Sequence, residues 1–157
     1  MQTSDESIYG AGDCTVSTDM LDGSKKIIAL WVNAVQQGAV AGSQMAGGSK
    51  TISGSYAVNA IDFYGLRICT CGLINAEGEQ YSDTAKQRES TYKRLIFEGD
   101  RLVGFVLIND SENAGIYTSL IENKVDVTSL EDDITKTPSL FLFDKAARQN
   151  RLKGETV

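Results

Sequence analysis

The stretch TYKRLIFEGDRLVGFVLIND, Thr91 to Asp110, constrains the fold more than any other part of the chain. Gly99-Asp100 is a Gly-first pair between two apolar runs. That is the signature of a type II′ hairpin turn, whose first central residue needs the positive φ that glycine adopts without strain. Pairing about this turn sets Phe97 opposite Leu102 and Ile96 opposite Val103. The second run, Leu102 to Ile108, is apolar at successive positions. Side chains of a strand alternate between its faces, so both faces of this strand are apolar. Such a strand belongs in the middle of a sheet, covered on both sides. Each fully buried Leu, Ile or Phe contributes roughly 1.5–3 kcal/mol, so this strand is expected to anchor the core.

Around it the pattern predicts a small antiparallel sheet with helices. Tyr56–Ile61 and Leu66–Leu73 read as two further strands joined by a short DFYG connection. After the hairpin, Ile116, Tyr117, Leu120 and Ile121 form an apolar helical stripe. Asp110 or Ser111 is the expected cap, Glu112 falls in the first turn, and Lys124 suits the C-terminal end of the helix dipole. Ser129–Ile134 reads as a second short helix with a Ser129/Asp132 capping pattern. Beyond Pro138, Leu140–Phe143 reads as a strand followed by a helical tail, or as a terminal helix. The first 48 residues have a different texture, rich in Gly, Ala, Ser and Asp. They hold a short strand candidate, Ser7–Ala11, and one helix, Trp31–Met45. In that helix Trp31, Ala34, Val35 and Ala39 recur at helical spacing, and Gly47-Gly48 ends it. Gly38 and Gly42 inside it predict a neighbour that packs very close.

Charge and composition narrow the function. The net charge is −6, with no long basic run, which disfavours a phosphate backbone as partner, so no nucleic acid is expected. No apolar run approaches the ~20 residues of a membrane span. Met1–Glu6 is polar and acidic, unlike a secretory or transit leader, and assigns the chain to the cytoplasm. Three cysteines, Cys14, Cys69 and Cys71, make no disulfide framework and suit a reducing compartment. The chain contains no histidine. This removes Ser-His-Asp and Cys-His nucleophile arrangements, most zinc sites, and the side chain best suited to proton transfer near neutrality. Any chemistry is expected to come from a cofactor or from another segment.

Several motifs resolve to plain structure. AGGSKT, Ala46–Thr51, has Ser49 where a phosphate-binding loop requires glycine, and reads as a helix end and loop. No Gly-x-Gly-x-x-Gly follows a strand. Cys69 and Cys71, two apart in a strand, point to one face as core or half-buried positions, and no metal site is expected. Asp62, Asp110 and Glu131-Asp132-Asp133 read as turn, cap and solvated residues. SIYGAGDCT, residues 7–15, is different. A strand candidate, a small turn, one carboxylate at Asp13 and then a helix starting near Trp31 make a recognisable arrangement. The carboxylate can accept charge-assisted hydrogen bonds from a sugar-like hydroxyl, each worth ~1.5–3 kcal/mol. The helix start offers free N–H groups to negative charge.

TSDESIYGAGDCT resembles the second flavin-binding motif of FAD-dependent pyridine nucleotide oxidoreductases, in which a strand ends in Ala/Gly-Gly-Asp. ALWVNAVQQGAVAGSQMAGG resembles the helix that ends their FAD domain. DRLVGFVLINDSENAGIYTSLI resembles the C-terminal domain of the NADH oxidase, NADH–rubredoxin reductase and assimilatory nitrite reductase branch. The resemblance implies an α+β fold: residues 1–48 as the last strand and helix of an FAD domain, and residues 49–157 as a C-terminal interface domain. It implies that Gly12 and Asp13 bind the ribitol of FAD, and that N–H groups near Leu30, Trp31 and Val32 face the pyrimidine edge of the flavin ring. It implies no catalytic residue in this chain. The electrons would pass from NAD(P)H through FAD to oxygen, rubredoxin or a nitrite-reducing centre. The family's Gly-rich nucleotide fingerprints are absent from these residues. The chain is therefore expected to be a C-terminal fragment that binds FAD weakly or not at all alone. Its expected partners are the remainder of its own FAD and NAD domains, a second copy in a homo-oligomer, and an acceptor protein such as rubredoxin. The rival expectation is a non-catalytic module that binds a protein and no cofactor.

Overall fold

The computed structural model describes residues 1–129 and 134–136. Among them are two helices, a five-stranded antiparallel sheet and a small two-stranded sheet, an α+β fold as expected. Two short strands, β1 (Ser17–Thr18) and β2 (Lys25–Lys26), pair with each other, and α1 (Trp31–Met45) follows. The main sheet contains β3 (Val58–Phe63), β4 (Leu66–Gly72), β5 (Tyr81–Arg88), β6 (Thr91–Glu98) and β7 (Arg101–Ile108) in the order β3-β4-β7-β6-β5. Helix α2 (Ala114–Glu122) packs on one face, and a 3-10 turn spans Val127–Ser129. The segments expected at residues 130–133 and 137–157 lie outside the described residues.

β7 is the central strand, as its two apolar faces predict. Phe105 and Leu107 meet Tyr117, Leu120 and Ile121 of α2, together with Leu95, Cys71 and Leu102, in one buried cluster. The Phe105 and Tyr117 rings lie 5.7 Å apart, and the Tyr117 hydroxyl donates to the Ile134 carbonyl at 2.7 Å. Leu73 and Ile74 lie against the opposite face, next to Gly104 and Arg94, and there Ile96 and Val103 are buried and Val106 and Ile108 half-buried. Gly99 has φ 55° and Asp100 has no positive φ, which gives the type II′ turn between Glu98 and Arg101. The register is more specific than expected. Phe97 pairs with Leu102, but Ile96 pairs with Gly104, leaving Val103 as a bulge. The freed Val103 carbonyl accepts the Leu73 N–H at 2.9 Å, so the bulge attaches the connection that leaves β4.

Other departures have local causes. β5 was not expected, because YSDTAKQR has no apolar alternation. It is an exposed edge strand held by its ladder to β6, and its charges discourage further pairing. Residues 7–11 form no strand. No neighbouring strand lies beside them among the described residues, and Ile8 and Gly10 bond back to Thr3 and Met1 at 2.9 and 3.0 Å. α2 starts at Asn113 with no side-chain cap rather than at Asp110 or Ser111, and Lys124 lies past its end. α1 has the predicted bounds and ends on Gly47 at φ 80°, with Gly47 and Gly48 N–H groups bonding to the Gln44 and Ser43 carbonyls, a Schellman closure. Gly38 and Gly42 face open space, not the close neighbour expected.

Two glycines should therefore respond oppositely to alanine. A Cβ on Gly72 would sit 2.1 Å from the Val103 oxygen at a φ of +70°. Gly72→Ala should lower the unfolding free energy by more than about 2 kcal/mol. Gly38→Ala should raise it by up to ~1 kcal/mol. Urea unfolding of both variants checks the pair.

Candidate functional site

Helix α1 is inverted with respect to its apolar pattern. Its buried stripe is Asn33, Gln37, Val40 and Ala41. Trp31, Val35 and Ala39, three of the four residues that make it look amphipathic, are exposed, Trp31 at 82%. The inward polar residues are satisfied by the N-terminal loops. Gln37, 2% exposed, accepts the Gly12 N–H at 2.7 Å and donates to Ser17 Oγ at 2.7 Å. Thr15 Oγ1 lies within hydrogen-bond distance of both Gln37 Oε1 (2.7 Å) and the Gly12 carbonyl (2.8 Å). Asn33, also 2% exposed, donates to the Tyr56 carbonyl at 3.2 Å. A buried amide left unpaired costs about 1–3 kcal/mol, so these bonds fix where the loops lie on the helix.

Gln37 thereby shapes the Gly12–Thr15 turn. Gly12 has φ 86°, and a Cβ there would lie 3.6 Å from the Ala34 Cβ, so the turn rests on the first part of α1. Asp13 projects from this turn, exposed and without a hydrogen bond or ion pair among the described residues. Leu30, the extended N-cap residue, is half-buried, while Trp31 and Val32 are exposed. No side chain caps the helix and no acid occupies its first turn. The first capping bond is from the Ala34 N–H to the Leu30 carbonyl at 3.0 Å, so the amides of Trp31, Val32 and Asn33 precede the helix's own acceptors. All five candidate residues thus lie on the turn or on the helix start it rests against. The exposed Asp13 carboxylate is an acceptor, and the uncapped N–H groups at the start of α1 are donors, that the described residues leave open. Asn33 and Gln37, which fix the loops on α1, were missed. Their i, i+4 spacing in register with Val40 and Ala41 was the available signal.

The remaining candidates are structural. Cys71 is buried and Cys69 half-buried, both in or against the core below α2. Burial pushes the Cys71 thiol up to about 12, and the nearby Glu122 carboxylate adds to the shift. Burial, and then donation to Glu122, also raises Tyr56, whose hydroxyl bonds Glu122 and so links the segment after α1 to α2. No group of three or more metal-ligating residues occurs among the described residues. No described helix is long and apolar enough to cross a membrane.

Two outcomes follow from these contacts. Gln37→Leu should speed hydrogen exchange at the Gly12 amide by about tenfold or more, because its acceptor is gone. Thiol titration should find exposed Cys14 reacting first and Cys71 last. Because the folded pKa of Cys71 is raised from 9.0 to about 12, its contribution to stability is complete below pH 9 and falls as the pH climbs towards 12.

Residues 58–125 match the family described as the Rubredoxin NAD+ reductase C-terminal domain. The NADH-dependent phenylglyoxylate dehydrogenase subunit epsilon of Aromatoleum evansii is 28% identical over 142 residues, covering 88% of this chain and 34% of its own length. The human pyridine nucleotide-disulfide oxidoreductase domain-containing protein 1 is 27% identical over 145 residues, 85% of this chain and 29% of its own. Among solved structures, the NAD-dependent persulfide reductase from A. fulgidus superposes with a TM-score of 0.72 at 21% identity, over 98% of this chain and 33% of that one. The chain spans about a third of the length of these relatives. The sheet and α2 over residues 58–125 are thus similar to a rubredoxin NAD+ reductase C-terminal domain, and most of the chain is similar in sequence to part of these longer proteins.

Proposed function

We propose that this chain supplies the end of a flavin-binding domain, residues 1–48, and a C-terminal interface domain, residues 49–157, to an FAD-dependent NAD(P)H oxidoreductase. The inverted helix α1 carries this reading. A helix that buries Asn33 and Gln37 against its own chain and exposes Trp31 and Val35 has its apolar face turned towards another layer. Ile8 and Ile27 are exposed with it, while Ile28 and Leu30 are half-buried already. Open space at Gly38 and Gly42 leaves room for close approach along the helix. The missing layer is, on this reading, the remainder of the FAD and NAD portions of the protein.

In that setting Asp13 would hold a ribitol hydroxyl of FAD, positioned by the Gly12 turn that Gln37 clamps. The first-turn amides after Leu30, at Trp31 and Val32, would meet negative charge on the ring edge, a stabilisation of ~0.3–2 kcal/mol. Bound there, the flavin would supply hydride acceptance from a reduced nicotinamide and onward electron transfer. This chain contributes orientation and charge tuning, not a proton-transfer group, which agrees with its lack of histidine. The C-terminal domain would serve as the contact surface for a second copy or for an acceptor such as rubredoxin.

The test has two parts. Titrating this chain alone with FAD should give no stoichiometric complex. In the protein that joins these residues to a nucleotide-binding portion, Asp13→Ala should weaken FAD retention by about tenfold or more, read from flavin absorbance after gel filtration. Unchanged retention would remove Asp13 from the site. A protein that binds no flavin in any form would favour a cofactor-free interaction module.

A further inference from the structure

A second feature stands apart from the flavin reading. Three strand residues place positive charge on one face of the β5–β6 hairpin. Lys86 and Lys93 are direct cross-strand partners, and Arg88 lies two residues beyond Lys86 on the same face. Like charges directly opposite one another destabilise a sheet unless something neutralises them. Lys93, 8% exposed, is fixed by Asp110 at 3.0 Å and sits 5.7 Å from the centre of the Tyr117 ring. Lys86 instead donates to a neutral hydroxyl, Thr135 Oγ1, at 2.8 Å. The Arg88 guanidinium has no hydrogen bond or ion pair among the described residues.

These groups line a cavity of about 530 Å³ that also takes in Lys136 and the carboxylate of Glu112. Among the described residues that line this cavity, four are basic and two are acidic. A planar guanidinium beside a point-charge ammonium is a donor set matched to tetrahedral oxyanions. The volume falls within the range of small-molecule sites. A concave volume of this size suits a small ligand better than the broad surface a protein partner needs.

We propose that this cavity binds a small phosphate-bearing anion, through Arg88 and Lys86, with Lys93 and Asp110 as the fixed wall. Free phosphate and the phosphate monoester of a small metabolite share this chemistry, and the same side chains serve both. Nothing in the proposal depends on flavin binding.

The experiment is a titration of the 157-residue chain, labelled for amide NMR, with inorganic phosphate, glycerol 3-phosphate and sodium acetate at fixed ionic strength. Saturable shifts at Thr91, Asn113 and Thr135 with both phosphates, and none with acetate, are expected. Tighter binding of the ester would identify an organic ligand, and equal binding free phosphate. Arg88→Gln should weaken binding about tenfold, and Glu112→Gln should tighten it about twofold to threefold by removing a like charge. Both positions are exposed, so folding survives either change. Acetate binding as well as phosphate, absence of saturation, or equal affinity in both variants would overturn the proposal. So would binding seen only with an acidic peptide added as a fourth arm.

Discussion

The burial of β7 on both sides organises everything else in the main sheet. Phe105 and Leu107 face α2, while Ile96 and Val103 are buried outside that cluster. The Val103 bulge lets this happen without breaking the ladder to β4. It presents a carbonyl to Leu73, and it requires glycine at 72, where a Cβ would meet the Val103 oxygen, and at 104, where a Cβ would meet the Leu73 backbone. A central strand with two covered faces needs neighbours on both edges, which is why β4 and β6 flank it although β4 is distant from it in sequence.

The N-terminal part obeys a different logic. Beside buried Val40 and Ala41, its inward contacts include polar ones: Gln37 with Gly12 and Ser17, Asn33 with Tyr56, and buried Asp19 with Lys26 at 3.0 Å. Hydrogen bonds of this kind contribute modestly to stability but are specific in geometry. They hold the Gly12–Asp13 turn against the start of α1 while leaving the apolar side of that helix facing outwards. The same inversion leaves Trp31 and Val35 exposed on the helix whose first part the Gly12 turn rests against. The likeness to the C-terminal part of larger oxidoreductases gives that arrangement a context.

Much of the fold was legible because it depended on local rules. The Gly99 turn, the Trp31–Met45 helix with its glycine stop, and the position of β7 each follow from a few consecutive residues. β5 was hidden because an edge strand held by backbone bonds needs no apolar pattern. Val103 was misplaced by one residue because a bulge answers to Leu73, thirty positions away in the chain, and not to the turn beside it. Of the candidate site, Asp13 and the helix start were visible as residue types at a plausible spacing. Their supports, Asn33 and Gln37, were not, since polar side chains on a helix ordinarily mean solvent.

By itself the sequence determined periodicity, turn type, helix ends, the absence of histidine and the excess of negative charge. These are properties of neighbouring residues or of simple sums. Only the tertiary structure decided which face of α1 turns inwards, and that Gln37 grips Gly12. It also decided that Lys86, Arg88 and Lys93 share one recess. Those outcomes depend on which distant groups meet, and a helix or strand has no means of specifying its partner beyond the free energy of the contact it finally makes.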